Sequence, residues 1–173
     1  MRALNLATIM TSLFKRFGDI QYLKKSLILH SSCLETLYPN NPVFIGCLNN
    51  FTLALMASFD RTGNIEELDR GIEAVHRAGL LCSTNHPGFA ACLNNLGVLF
   101  VKRHDACGSS EDLTFGIVVM QKYTEIAFKD SPDDIKLLGN LSAALYYRYR
   151  QFQRHQDLEE SIKILRQMVD NLP

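Results

Sequence analysis

The sequence has no surplus of either charge, because eighteen lysines and arginines meet eighteen aspartates and glutamates. Without a net field, charge selects neither nucleic acid, nor an anionic membrane, nor a strongly acidic partner. No two cysteines have CxxC spacing, and the five present, Cys33, Cys47, Cys82, Cys92 and Cys107, are odd in number. That pattern fits reduced thiols rather than a disulfide framework or a zinc site, and it predicts an intracellular, cytoplasmic protein. The N-terminus lacks a signal-peptide core followed by a small-residue cleavage site. No apolar run reaches the roughly 18 residues of a membrane span, so no membrane partner is expected. What the chain does have is a composition of 47% apolar and 21% charged residues, too apolar for disorder and ample for a core.

A fixed period organises those residues. Asn5, Asn50, Asn95 and Asn140 are 45 residues apart each time, and so are Leu27, Ile72, Ile117 and Ile162. Leu23, Leu68, Leu113 and Leu158 keep the step, as do Pro42, Pro87 and Pro132, and Leu48-Asn49-Asn50 recurs as Leu93-Asn94-Asn95. Repeats of approximately 1–41, 42–86, 87–131 and 132–173 follow, forming a single array over 1–173.

Punctuation inside each period marks two helices. Asn41-Pro42, His86-Pro87 and Ser131-Pro132 place a cap residue before a proline at the first helical position. Gly18, Gly63 and Gly108 stand where a left-handed residue would end that helix, and Asp19, Asn64 and Ser109 follow as caps for the next. In the fourth repeat Gln153 replaces the glycine. Leu48, Phe51, Leu55 and Phe59 fall at three- and four-residue steps on a first helix, and Leu68, Ile72 and Val75 do so on a second. Each helix therefore buries one face, and strands find no room.

These residues resemble the tetratricopeptide repeat (TPR). Leu93, Leu96-Gly97 and Phe100 take its first-helix positions, and Gly116 with Met120 take the small and large positions of its second helix. Ala7, Thr52 and Ser142 align with Gly97, and Ser26, Gly71 and Ser161 align with Gly116, where two packed helices must approach closely. The period exceeds the usual length of about 34 by about eleven residues, so each helix is expected to be longer by about a turn. The resemblance implies an all-α, right-handed α-solenoid of four helix-turn-helix repeats, eight helices in all. The long Leu-Asn-Asn-Leu-Gly variety, with turns such as Arg61-Thr62-Gly63-Asn64, is similar to arrays in large fungal and bacterial proteins. There they stand beside nucleotide-binding signalling modules or caspase-like proteases. The fourth repeat is atypical, with Met168 where the second repeat has Ala78, and no polar capping helix closes either end. A longer parent chain is therefore expected, with Leu4, Leu13, Phe17, Ile162, Leu165 and Met168 uncovered for self-association or adjoining domains.

The sharpest candidate site is the asparagine ladder. In the kinesin light chain and chaperone-binding arrays that the sequence resembles, an Asn at this first-helix position bonds a bound peptide's main chain. By that resemblance Asn5, Asn50, Asn95 and Asn140 would grip a peptide, assisted by Asn49 and Asn94. The same amides would equally serve to satisfy neighbouring helices. Basic residues late in the first helices (Lys15, Arg16, Arg61, Lys102, Arg103, Arg148 and Arg150) form a rim for an acidic partner, or complement helix macrodipoles. Lys102 and Arg148 join the peptide-binding candidates.

Catalysis has no constellation to stand on. None of His30, His76, His86, His104 and His155 lies in an HExxH pattern or beside a cysteine at ligand spacing. His104 replaces Phe14, Phe59 and Tyr149 of its sister repeats and His30 replaces Val75, so both are read as space-filling. Cys47 and Cys92 open equivalent helices as small apolar residues, and Gly108-Ser109-Ser110 is a turn rather than a phosphate cradle. The reading is a non-enzymatic scaffold or adaptor without metal or cofactor that binds a protein, peptide or helix in a concave groove. The alternative is a regulatory or sensor segment of a larger signalling ATPase or caspase-like protease protein.

Overall fold

The computed structural model describes residues 2–38, 41–81, 87–126 and 132–170. Among these residues there are eight helices and no strand: α1 (Arg2–Phe17), α2 (Ile20–Thr36), α3 (Pro42–Thr62), α4 (Ile65–Leu81), α5 (Pro87–Cys107), α6 (Ser110–Ile126), α7 (Pro132–Phe152) and α8 (His155–Asp170). First helices other than α1 run to 21 residues and second helices to 16 or 17, so the long period is spent mainly on the first helix of each pair.

The turns form where the punctuation placed them. Gly18, Gly63 and Gly108 have φ of 73°, 69° and 75°, the left-handed region that glycine enters without steric cost, and Gln153 adopts φ 56° in the same place. Each donates its backbone N–H to the carbonyl four residues back, at Phe14, Phe59, His104 and Tyr149, over 2.7 to 2.8 Å. The turn is thus set by the hairpin, and Gln153 occupies it at a cost a glycine would avoid. Asp19, Asn64 and Ser109 cap the following helices by accepting from the N–H groups of Gln21, Glu66 and Asp112. Asn41 caps α3 by accepting from Val43 N–H ahead of Pro42. The caps expected at His86 and Ser131 lie outside the described residues.

By packing, the chain divides into two compact units, Met1–Asn95 and Leu96–Pro173, with the division inside α5. In the first, α1 lies on α2, α2 on α3 and α3 on α4, around wholly buried Leu23, Leu48, Leu55 and Leu68. In the second, α6 lies on α7 and α7 on α8, around Leu99, Leu113, Ile117, Leu141 and Leu145. The small-residue positions are where paired helices touch. Ser26 Oγ donates to the Ala7 carbonyl at 2.8 Å, and Ser161 Oγ donates to the Ser142 carbonyl at 3.0 Å. A Cβ built on Gly116 would stand 2.9 Å from the Gly97 carbonyl oxygen, a clash with backbone that no rotamer relieves.

The stretch Val43–Thr62 of α3 is long and apolar enough to span a membrane by length and composition, but 56% of its most apolar window is buried within the fold. Phe44, Leu48, Phe51 and Leu55 are core residues, which accounts for its hydropathy.

Candidate protein-interaction surface

The asparagines are equivalent in sequence but not in surroundings. Asn5 is exposed on α1 and Asn50 is half-buried on α3, and both line one cleft of about 690 Å³ together with Leu4, Thr8, Ile9, Ser12, Leu13 and Arg16. Asn50 Nδ2 reaches Thr8 Oγ1 at 3.4 Å, a long bond that holds the amide over the cleft. Asn95 is only 7% exposed, and its Nδ2 donates to Asn49 Oδ1 at 3.0 Å. That bond satisfies a buried amide and makes Asn49 and Asn95 a structural pair. Asn94 is half-buried on the same helix. Asn140 and Lys102 come together in a smaller cleft of about 250 Å³ whose wall includes Asp105 and Tyr147. There the hydrogen bond to Asp105 raises the pKa of the Tyr147 hydroxyl.

Two arginines of the expected basic rim are engaged inside their hairpins. Arg148 forks onto Asp157 through Nε and Nη2, both at 2.7 Å, and Arg103 forks onto Asp112 at 2.8 and 2.7 Å. These are bidentate, mostly buried ion pairs that tie a first helix to its second across the turn. Arg148 also borders a cleft of about 640 Å³ with Arg154, Phe115 and Phe152. The clamps escaped the reading of the sequence, although Arg and Asp nine residues apart recur one period on, at 103 and 112 and at 148 and 157.

The buried histidines do more than fill space. His104 Nδ1 donates to the Ser109 carbonyl at 2.6 Å, Nε2 meets the Gln151 amide at 2.9 Å, and the ring stands edge-on to Tyr147. His104 therefore ties the α5–α6 turn to α7. His30 is fully buried, with Nδ1 near Ser26 Oγ at 3.2 Å and near the Ser26 carbonyl at 3.0 Å, while its Nε2 has no hydrogen-bond partner. Burial lowers the pKa of this imidazole, with the Ser26 carbonyl bond opposing. Next to it, burial and the nearby Cys33 push the Cys47 thiol up to about 12, so it stays protonated and a poor nucleophile. Among the described residues no group of three His, Cys, Asp or Glu side chains could hold a metal ion.

No family model matches the chain, and no curated protein sequence matches it. Solved structures do. A Podosopora anserina protein described as a kinesin light chain with nearly identical TPR-like repeats is 14% identical with a TM-score of 0.61, covering 96% of this chain and 73% of its own. The DHF58 filament is 12% identical with a TM-score of 0.56, covering 98% and 90%. The de novo designed helical repeat protein DHR64 is 14% identical with a TM-score of 0.51, covering 98% and 91%. At these identities the likeness is one of fold, and the fold is the TPR-like helical repeat.

Proposed function

We propose that the chain is a protein-interaction scaffold whose first-helix face binds an extended peptide or a helix of a protein partner. The observation that carries this reading is the cleft in which Asn5 and Asn50, at one repeat position, stand beside Leu4, Ile9, Leu13 and Arg16. Amides can pair with a main chain whatever its side chains, and the apolar wall supplies area that a partner would take out of water. In the second unit Asn140, at the same repeat position, shares a cleft with Lys102, while in the first Asn95 is paired with Asn49. Amides, hydroxyls, apolar side chains and one guanidinium line the cleft, groups that suit recognition.

Selection of peptides from a displayed library against the chain, followed by titration, tests the proposal. Changing Asn5 and Asn50 together to Ala is expected to weaken a selected peptide at least tenfold, about 1.4 kcal/mol, with the melting point unchanged. Asn95→Ala should do the reverse, lowering stability by about 1 kcal/mol with little change in affinity. Peptides whose affinity ignores both asparagine changes would overturn the reading.

A further inference from the structure

The interface between consecutive repeats follows a simple register. In the first unit the His30 ring of α2 lies 6.3 Å from the Phe51 ring of α3, and the Cys47 thiol approaches the His30 carbonyl at 3.9 Å. Position 30 of a second helix thus meets positions 47 and 51 of the following first helix. Shifting by whole periods, the equivalents of His30 are Val75, Met120 and Leu165. The first three are at most 2% exposed, and Leu165 is 47% exposed. Ile162 is 41% exposed, whereas its equivalent Ile117 is fully buried. At the other end the equivalents of Cys47 and Phe51 are Arg2 and Leu6, and Leu6 is 42% exposed while Phe51 and Leu141 are buried. Ile9, exposed where Ala54, Leu99 and Ala144 are buried, borders this patch and the cleft above.

Each bare surface is therefore one half of an interface that the fold already builds between α2 and α3. The halves also match in chemistry. The register that sets His30 on Phe51 sets Leu165 of one copy on Leu6 of another, apolar against apolar. In the same register Arg2 of one copy takes the place of Cys47, at the Leu165 carbonyl of the other, within a side chain's reach of the C-terminal end of α8, where the helix macrodipole favours a cation. We infer that a second copy of this chain covers the outer face of α8 with its α1, so that the protein assembles head to tail in the register of its own repeats. An interface joining two different patches does not close at a dimer, so growth continues unless the rotation makes a ring.

Sedimentation velocity of the chain from about 1 to 200 μM tests this, a range that detects dissociation constants of weak to moderate contacts. The mean mass is expected to rise with concentration past that of a dimer. Leu165→Glu and Leu6→Glu should each lower association at least tenfold. An equimolar mixture of the two variants should form a dimer and stop, because each supplies the one intact patch that the other needs. Both positions are exposed, so melting curves matching the unaltered chain are expected. Leu165→Ser and Leu6→Ser serve if either glutamate unfolds the protein. A monomer across the whole range, a mixture that stays monomeric, or a dimer blocked only by Leu165→Glu would each overturn the inference. Neither Leu165 nor Leu6 lines the asparagine cleft, so peptide affinity should be the same in both variants.

Discussion

One position pair, nine residues apart across each hairpin turn, is filled differently in the two halves of the molecule. In the first unit it holds Leu13 with Tyr22 and then Ser58 with Glu67, where the Ser58 and Thr62 hydroxyls both donate to the Glu67 carboxylate. In the second unit it holds Arg103 with Asp112 and Arg148 with Asp157, both bidentate. The same two positions thus hold a leucine and a tyrosine, a hydroxyl–carboxylate bond or an ion pair. Geometry fixes where the pair stands, and its chemistry decides how costly a single loss becomes. A hydroxyl can turn to water, whereas a buried charge left alone keeps its full desolvation penalty.

The comparison is broken most severely where no chemistry can substitute. Gly116→Ala sets a Cβ against the Gly97 carbonyl, and should cost about 3 kcal/mol, the upper end for overpacking, as measured by urea unfolding. Ser161→Ala, at the equivalent place one repeat on, loses only its hydrogen bonds and should cost about 1 kcal/mol.

The ion pairs come next. Asp157→Ala should cost about 2 kcal/mol, less than a deeply buried pair because Arg148 borders a cleft, while Glu67→Ala should cost about 1 kcal/mol. Installing the first repeat's pair, Arg148→Leu with Asp157→Tyr, should return stability to within about 1 kcal/mol of the starting protein. A double variant as unstable as the single one would show that the pair is chosen by its surroundings and not by the turn.

A smaller effect separates the halves by pH. His30 belongs to the first unit, and burial holds its pKa below the usual 6.5. The unfolded chain therefore takes up the proton first as pH falls. The stability this site allows is intact above about pH 6.5 and is lost as pH drops from there through the folded-state value. Ser26 of α2, Thr11 of α1 behind it and the neutral Cys47 of α3 carry no charge to offset that of a protonated ring. His30→Val, which copies the residue of the second repeat, removes the unpartnered Nε2. It should add about 1 kcal/mol at pH 7 and more at pH 5, read from unfolding curves at the two pH values.

The smallest expected change is at the fourth turn. Gln153→Gly should add about 0.5 kcal/mol, relief of the left-handed backbone less the entropy of a freer unfolded chain. Gly108→Gln should lose a similar amount, visible as a shift in the urea midpoint.

Turns, caps and close-packing positions were legible in the sequence because each rests on a local rule: a positive φ, a side-chain acceptor, a missing Cβ. Gly63, Asn64 and Gly116 can be read without knowing what lies across from them. The ladder was legible only as a row. Asn5 and Asn95 share a position, yet one is open and the other is bonded to Asn49, and that difference is made by neighbours tens of residues away. The Arg–Asp clamps follow neither a helical nor a strand period because they straddle a turn, so only their recurrence points to them. The rotamers that aim His104 at Ser109 and Gln151 leave no trace in spacing.

The unbroken 45-residue step has a genetic consequence. Any recombination that copies or deletes one whole period stays in frame and leaves each turn and cap between a first and a second helix, wherever in the period the crossover falls. A gene built this way can change the number of its hairpins in a single event while keeping the order of helix, turn and cap.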